Sequence, residues 1–204
     1  MSAIGITGGI ATGKSTVASA LHNALSPRLP VEWFNADFEA RRLTDTDLHV
    51  QEEIESVFGA QLFDGERRLQ RERLRELIFR DPSARKTLES ILHPRIRLAW
   101  LERASTGTLL LAEIPLLFET KAEEHLDLVI VTACSRPAQI FRLIEVRGLP
   151  PDLAERMIAA QMPLEEKIKR ADRLVWTDCP PHITAAQIDH LTAELTKRYG
   201  ESTH

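Results

Sequence analysis

The chain has 204 residues, a formal net charge of −4, and a composition that is 43% hydrophobic and 27% charged. That length suits one α/β domain with insertions and is small for two independent domains, and the acidic balance argues against general affinity for nucleic acid or an anionic membrane. The longest apolar stretch, Leu109 to Phe118, is interrupted by Glu113 and Pro115, so no membrane span is expected.

Ala3-Ile4-Gly5-Ile6-Thr7 reads as a short buried strand. Gly8-Gly9-Ile10-Ala11-Thr12-Gly13-Lys14-Ser15 follows and fits the phosphate-binding pattern G-x-x-x-x-G-K-[ST]; from Thr16 to Leu21 a helical pattern begins. This is the strand–loop–helix context the pattern requires. Its glycines let the backbone curl until several N–H groups point inward, and a helix N-terminus adds partial positive charge. Lys14 is placed to reach the β- and γ-phosphates of a nucleoside triphosphate, and the Ser15 hydroxyl to ligate Mg2+. No secretory leader is expected, because the first residues lack a basic region and are occupied by this loop.

Val31 to Phe34, Thr108 to Ala112, Leu128 to Thr132 and Arg173 to Trp176 are the remaining strand candidates. Two are nearly continuous apolar runs, as in a parallel sheet covered on both faces. Helical patterns fill the intervals, so the class is α/β with a doubly wound sheet. Asp37 directly follows the second strand and is expected at the carboxyl edge, where ligands of such sheets gather. It can accept the proton of an attacking hydroxyl, or it can cap the helix that starts at Phe38.

Roughly seventy residues separate the second strand from the third, more than a crossover helix needs. Leu74, Leu77 and Ile78, then Leu88, Ile91 and Leu92, have helical spacing. Phe63-Asp64-Gly65 marks a turn, and Asp81-Pro82 opens a new helix. His93-Pro94 predicts a turn between two helices, with His93 capping or buttressing it. Arg67 to Arg80 holds six arginines against Glu72 and Glu76. Most form a solvated face, and Arg71 is the candidate grip for an anionic acceptor.

Glu113 ends the third strand, where an acid holds a Mg2+-bound water or is simply a solvated strand end. A second insert runs from Arg136 to about Arg170 and is broken at Gly148-Leu149-Pro150-Pro151. Arg142 lies about 200° around a helix from both Ile140 and Ile144, so inward packing of that pair leaves it free to contact a phosphate. Arg147 precedes Gly148, a position also explained by helix C-terminal electrostatics. A nucleotide core with two helical inserts points to a small-molecule kinase, one insert holding the acceptor and the other closing as a lid.

Other classes fit less well. A GTP switch needs D-x-x-G and N-K-x-D segments, and neither is present. A non-catalytic ATP-binding regulator has no need of Lys14, Asp37 and Arg142 together. Cys134 and Cys179 lie far apart, without C-x-x-C or zinc-ligand spacing, and are expected to be reduced thiols of a cytoplasmic protein.

The ordered set of motifs resembles the dephospho-CoA kinase family over most of the chain. The pieces are Gly5 to Thr16, then Ala36-Asp37 with Arg41, and Phe58-Gly59. Leu69-Gln70-Arg71 follows with Leu74, Ile78 and Phe79. Leu92-His93-Pro94 and Pro115-Leu116-Leu117-Phe118-Glu119 are the most distinctive; other nucleoside monophosphate or shikimate kinases are not expected to carry both. Gln139 with Arg142, then Ala160-Gln161, Lys167 and Ala171-Asp172, complete the series.

The resemblance implies a P-loop nucleotide kinase-like three-layer fold with a central parallel sheet, a helical substrate-binding insert and a helical lid. Its expected divisions are a nucleotide core at 1–42, 106–135 and 171–204, a CoA-binding insert at 43–105 and a lid at 136–170. It implies transfer of the ATP γ-phosphoryl group to the ribose 3′-hydroxyl of dephospho-CoA with Mg2+, with Lys14, Asp37 and Arg142 catalytic. Ala11, Thr12, Gly13, Lys14, Ser15 and Thr16 are the nucleotide contacts, and Ser15 and Glu113 the metal ligands. Asp37, Arg41, Arg71, His93 and Leu117 are the substrate contacts. The expected protein is a cytoplasmic monomer or weak homo-oligomer with a small-molecule acceptor. Three positions depart from the family. Asn35 replaces an aspartate, Ala11 a common glycine, and Thr177 a frequent asparagine near the adenine. As a non-glycine, Ala11 is expected to avoid positive φ.

Overall fold

The apolar runs become the strands of one sheet in a computed structural model that describes residues 2–200. The strands are β1 (Ala3–Gly8), β2 (Val31–Asn35), β3 (Leu109–Glu113), β4 (Leu128–Ala133) and β5 (Arg173–Trp176). Their order is β2-β3-β1-β4-β5, and every neighbouring pair is parallel. The three inner strands are buried along their whole length, which is why their sequences carry almost no polar residues. The edge strands β2 and β5 are partly exposed, and Trp176 on β5 reaches solvent.

Two helices form much of one covering layer. On α1 (Lys14–Leu25), Val17, Leu21 and Leu25 pack inward; on α9 (Pro181–Gly200), Ile188, Leu191 and Leu195 do so. They meet Ile4, Ile6, Leu109, Leu111 and Ile130 of the sheet in one core. Spacings of three and four on each helix produce that apolar stripe.

The chain divides into two compact units, Met1–Asn35 with Glu102–His204, and Ala36–Leu101. The second is helical, with α2 (Ala36–Thr46), α3 (Leu48–Phe58), α4 (Arg71–Arg80) and most of α5 (Pro82–Ala104). Its core gathers Leu43, Val50, Ile54, Leu62, Leu74, Leu88, Ile91 and Leu92. The Asp47 carboxylate accepts from the Val50 N–H at 3.1 Å and caps α3. The turn at Asp64 is tied by its carboxylate, which accepts the Glu66 and Arg68 N–H groups at 2.9 Å. The Arg68 backbone bond leads in holding Asp64 below the usual carboxylate range.

One expectation fails here. His93-Pro94 is not a turn, because α5 runs unbroken through Pro94. An interior proline loses one helical hydrogen bond and crowds the preceding turn, at a cost of about 3 kcal/mol. Burial on both sides offsets it, through Leu88, Ile91 and Leu92 before the proline and Trp100 after it.

In the first unit, α6 (Arg136–Phe141) is capped by Ser135, whose hydroxyl accepts the Ala138 N–H. A π-helical turn, Arg142–Val146, follows directly. Then come α7 (Pro151–Ala159) and α8 (Leu164–Lys169). No helix among the described residues is long and apolar enough to cross a membrane. Cys134 and Cys179 are free thiols.

Candidate active site

The phosphate-binding pattern occupies the turn between the end of β1 and the start of α1. Gly13 stands at φ 88°, the left-handed region that glycine enters freely. No side chain caps α1 and its first turn holds no acid, so its terminal N–H groups are left for an anion. The Lys14 ammonium donates to the Gly9 carbonyl at 2.8 Å and lies 3.5 Å from that of Gly8. Thr12 is fully buried. Its hydroxyl donates to the Gly9 carbonyl at 2.8 Å and lies 2.8 Å from the Thr132 hydroxyl on β4. Thr16 is exposed on the first turn of α1.

Ala11 overturns an expectation: it stands at φ 60°. A left-handed alanine costs about 1–2 kcal/mol. Two contacts offset this. The Ala11 side chain clusters with Leu143 and Ala154, and the Ala11 carbonyl accepts the Arg142 Nη1–H at 3.0 Å. The steric rule holds, but packing and a charge-assisted bond outweigh it.

Glu113 ends β3, opposite Ile6 of β1 and Asn35 of β2 in the strand registers. It is buried, which removes the reading of a solvated strand end. The Ser15 hydroxyl donates to Oε1 at 2.6 Å, and the Asn35 amide donates to Oε2 at 2.7 Å. Among the described residues no three His, Cys, Asp or Glu side chains are grouped for a metal. One carboxylate beside one hydroxyl suits Mg2+, which keeps several waters and takes substrate phosphates instead of a full protein cage.

Arg142 opens the π-helical turn, so the 200° estimate made for a regular helix does not apply. The buried face is Gln139 and Leu143, while Ile140 and Ile144 are half-buried. Nor does Arg142 stand away from the loop. Its guanidinium donates to the Ala11 carbonyl and the Thr177 hydroxyl at 3.0 Å, and to the Thr177 carbonyl at 2.7 Å. The Thr177 hydroxyl in turn donates to the Thr12 carbonyl at 2.8 Å. A cavity of about 930 Å³ adjoins this cluster, lined by Ala11, Gly13, Arg142, Arg147, Thr177, Cys179 and Asp189 among others. Its volume suits a nucleotide-sized ligand.

Leu117 is fully buried in the first unit, leaving no side-chain surface for a ligand. In the unit Ala36–Leu101, Asp37 is exposed and lies inside the first turn of α2. The helix begins at Ala36, so Asp37 does not cap it. Arg71 pairs with the Asp45 carboxylate and donates to the Arg41 carbonyl. His93 is half-buried, and burial holds its imidazole below the usual range against the opposing charge of Glu89.

Some site neighbours were invisible in the sequence. Thr132 and Asp189 carry no motif. Gln139, Gln161, Glu119 and Lys167 stand out as motif letters without a role.

An all-parallel sheet in this order, a phosphate loop closed by Lys14 and Ser15, and an acid at the end of β3 define a P-loop kinase, an enzyme that uses a nucleoside triphosphate. Residues 2–179 match the family model described as dephospho-CoA kinase. The chain belongs to the dephospho-CoA kinase family. It is 38% identical over 200 residues to the dephospho-CoA kinase of Anaeromyxobacter dehalogenans, covering 96% of this chain and 92% of that one. The solved dephospho-CoA kinase of Campylobacter jejuni superposes with a TM-score of 0.69 at 29% identity, over 96% of this chain and 97% of that chain. Shikimate kinase from Acinetobacter baumannii, at 16% identity and a TM-score of 0.54 over 97% of this chain and 94% of that chain, shares the fold alone.

Proposed function

We propose that this chain transfers the γ-phosphoryl group of ATP to the ribose 3′-hydroxyl of dephospho-CoA, giving coenzyme A and ADP, with Mg2+. The observation that carries the reading is the dephospho-CoA kinase match across residues 2–179, which spans the loop, the acid of β3, the helical unit and Arg142 together.

Each residue then has a task. The N–H groups at the start of α1 and the Lys14 ammonium hold the β- and γ-phosphates. Lys14 leaves the Gly9 carbonyl to do so, exchanging a neutral acceptor for a charged one. Ser15 and Glu113 would hold Mg2+, which would supply positive charge to offset that of the phosphates. Asp37 accepts the proton of the 3′-hydroxyl as its oxygen bonds to the γ-phosphorus and the β–γ bridging bond breaks toward ADP. Arg142 stabilises charge on the transferring group, and its fork is held ready by Ala11 and Thr177. The nucleoside occupies the neighbouring cavity, with Thr177 engaged by the loop instead of reading the base. Arg41, Arg71 and His93 of the helical unit contact the acceptor, and two free thiols accord with a reducing cytoplasm.

The test is a coupled ADP-release assay with dephospho-CoA, AMP, adenosine and shikimate offered separately. Turnover is expected with dephospho-CoA. Rapid ADP release with AMP and none with dephospho-CoA overturns the assignment.

A further inference from the structure

We propose that Lys167, acting through Glu119 and Gln161, is a positioning residue that sets the shape of the phosphate loop ahead of Lys14. The Lys167 side chain is fully buried on α8. Its ammonium donates to the Pro115 carbonyl at 3.0 Å and to the Glu119 carboxylate at 2.9 Å. The same Pro115 carbonyl accepts the Thr7 hydroxyl at 3.2 Å, at the end of β1. The same Glu119 carboxylate accepts the Met162 N–H at 2.9 Å. Gln161, the residue before Met162, accepts the Ile10 N–H at 2.8 Å. The Gln139 amide donates to the Ile10 carbonyl, also at 2.8 Å.

These bonds close a circuit. It leaves the chain at Thr7, passes through Pro115, Lys167, Glu119 and Gln161, and returns at Ile10. The segment it brackets is the first half of the loop, where Lys14 and Thr12 hold the Gly9 carbonyl, Gln139 holds the Ile10 carbonyl, and Gln161 takes the Ile10 N–H. Burying an ammonium costs several kcal/mol even when it is paired, and an apolar side chain at the same place often serves stability equally well. What the pair provides is direction. It holds the 161–162 backbone so that a side-chain amide meets the Ile10 peptide, and the peptide planes of the loop follow. A cradle of N–H groups binds phosphate only when those planes converge. Phosphate affinity therefore depends on the circuit, and affinity for the nucleoside does not.

The inference rests on the kinase reading for its use of a nucleotide and is independent of the acceptor. Binding of ADP and of adenosine is measured by calorimetry without acceptor, so a wrong acceptor assignment leaves the result untouched. Gln161→Leu cuts the circuit at a half-buried position. It is expected to weaken ADP about three- to tenfold, the loss of one hydrogen bond, with adenosine unchanged. Lys167→Met is expected to weaken ADP tenfold or more and to lower the melting temperature by stranding Glu119. Lys167→Met with Glu119→Gln should recover much of the melting temperature while ADP affinity stays low, a split that a purely structural pair cannot produce. Parental ADP affinity in Gln161→Leu, or equal losses for ADP and adenosine, overturns the proposal. Gln161→Leu decides the matter even where Lys167→Met does not fold.

Discussion

Ser15 and Glu113 are 98 residues apart in the chain, yet the serine hydroxyl donates to the carboxylate at 2.6 Å. The bond joins the first turn of α1 to the end of β3, with the acid held from its other side by Asn35. A neutral amide stands beside Glu113, where an aspartate would double the local negative charge. Glu113→Gln keeps the shape and removes that charge. Mg2+-dependent ADP affinity is expected to fall about 10- to 150-fold, the roughly 1.5–3 kcal/mol of a hydrogen bond to a charged group, while ADP binding without Mg2+ is unchanged. Titrating Mg2+ into the ADP complex checks it. Equal metal dependence in variant and parent removes Glu113 from the metal site.

Asp37 sits in the first turn of α2, where a negative charge also favours the helix dipole. Asp37→Asn keeps side-chain size but cannot take a proton. The expected fall in kcat is on the order of 10²–10⁴-fold, the range for a positioned base, with ATP binding little changed. Single-turnover kinetics with saturating ATP separates the two, and near-normal turnover ends the base assignment.

Arg142 makes three hydrogen bonds to Ala11 and Thr177. Lysine keeps the charge and loses the fork. Arg142→Lys is expected to lower kcat about 10²-fold, part of the 10³–10⁵ that an arginine at a transferring phosphoryl group is worth. Losing two of the bonds should also cost about 1–2 kcal/mol, a few degrees in melting temperature for a chain of this size. A lowered melting temperature with unaltered kcat makes Arg142 a clamp on the loop and nothing more.

His93 gives the helical unit a pH response. Burial lowers its folded pKa below the ordinary 6.5. As pH falls below 6.5 the unfolded chain takes up a proton there that the folded chain resists, so stability present above pH 6.5 is lost toward and through the folded pKa. His93→Gln removes that loss. Urea midpoints at pH 7.5 and 5.5 should differ less for the variant than for the parent. An identical difference in both proteins contradicts this account.

The inner strands were readable because full burial demands uninterrupted apolar runs, as in Leu109-Leu110-Leu111-Ala112. The phosphate loop was readable because its chemistry is local. Pro94 was misread because a local rule met a tertiary one: the proline disfavours helix, but Leu88, Ile91, Leu92 and Trp100 hold α5 together across it. Arg142 was misplaced because angular spacing at 3.6 residues per turn fails inside a π-helical turn. Ala11 was misjudged because backbone strain is visible in sequence and its offset, contact with Leu143 and Ala154, is not. Glu119 and Lys167 show the same limit, since their letters were evident and their pairing across 48 residues was not.

The chain has three tryptophans, and they are divided between its compact units. Trp100 alone belongs to Ala36–Leu101, where it is buried; Trp33 and Trp176 belong to the other unit. Trp176 directly precedes Thr177, which touches the phosphate loop, and its indole N–H donates to the Asp178 carbonyl. Each unit thus carries its own intrinsic fluorophore. With Trp33 and Trp176 replaced by phenylalanine, emission reports unfolding of the helical unit; with Trp33 and Trp100 replaced, it reports the strand edge beside the loop. Two single-tryptophan variants thus let the order in which the units melt be timed without an added dye.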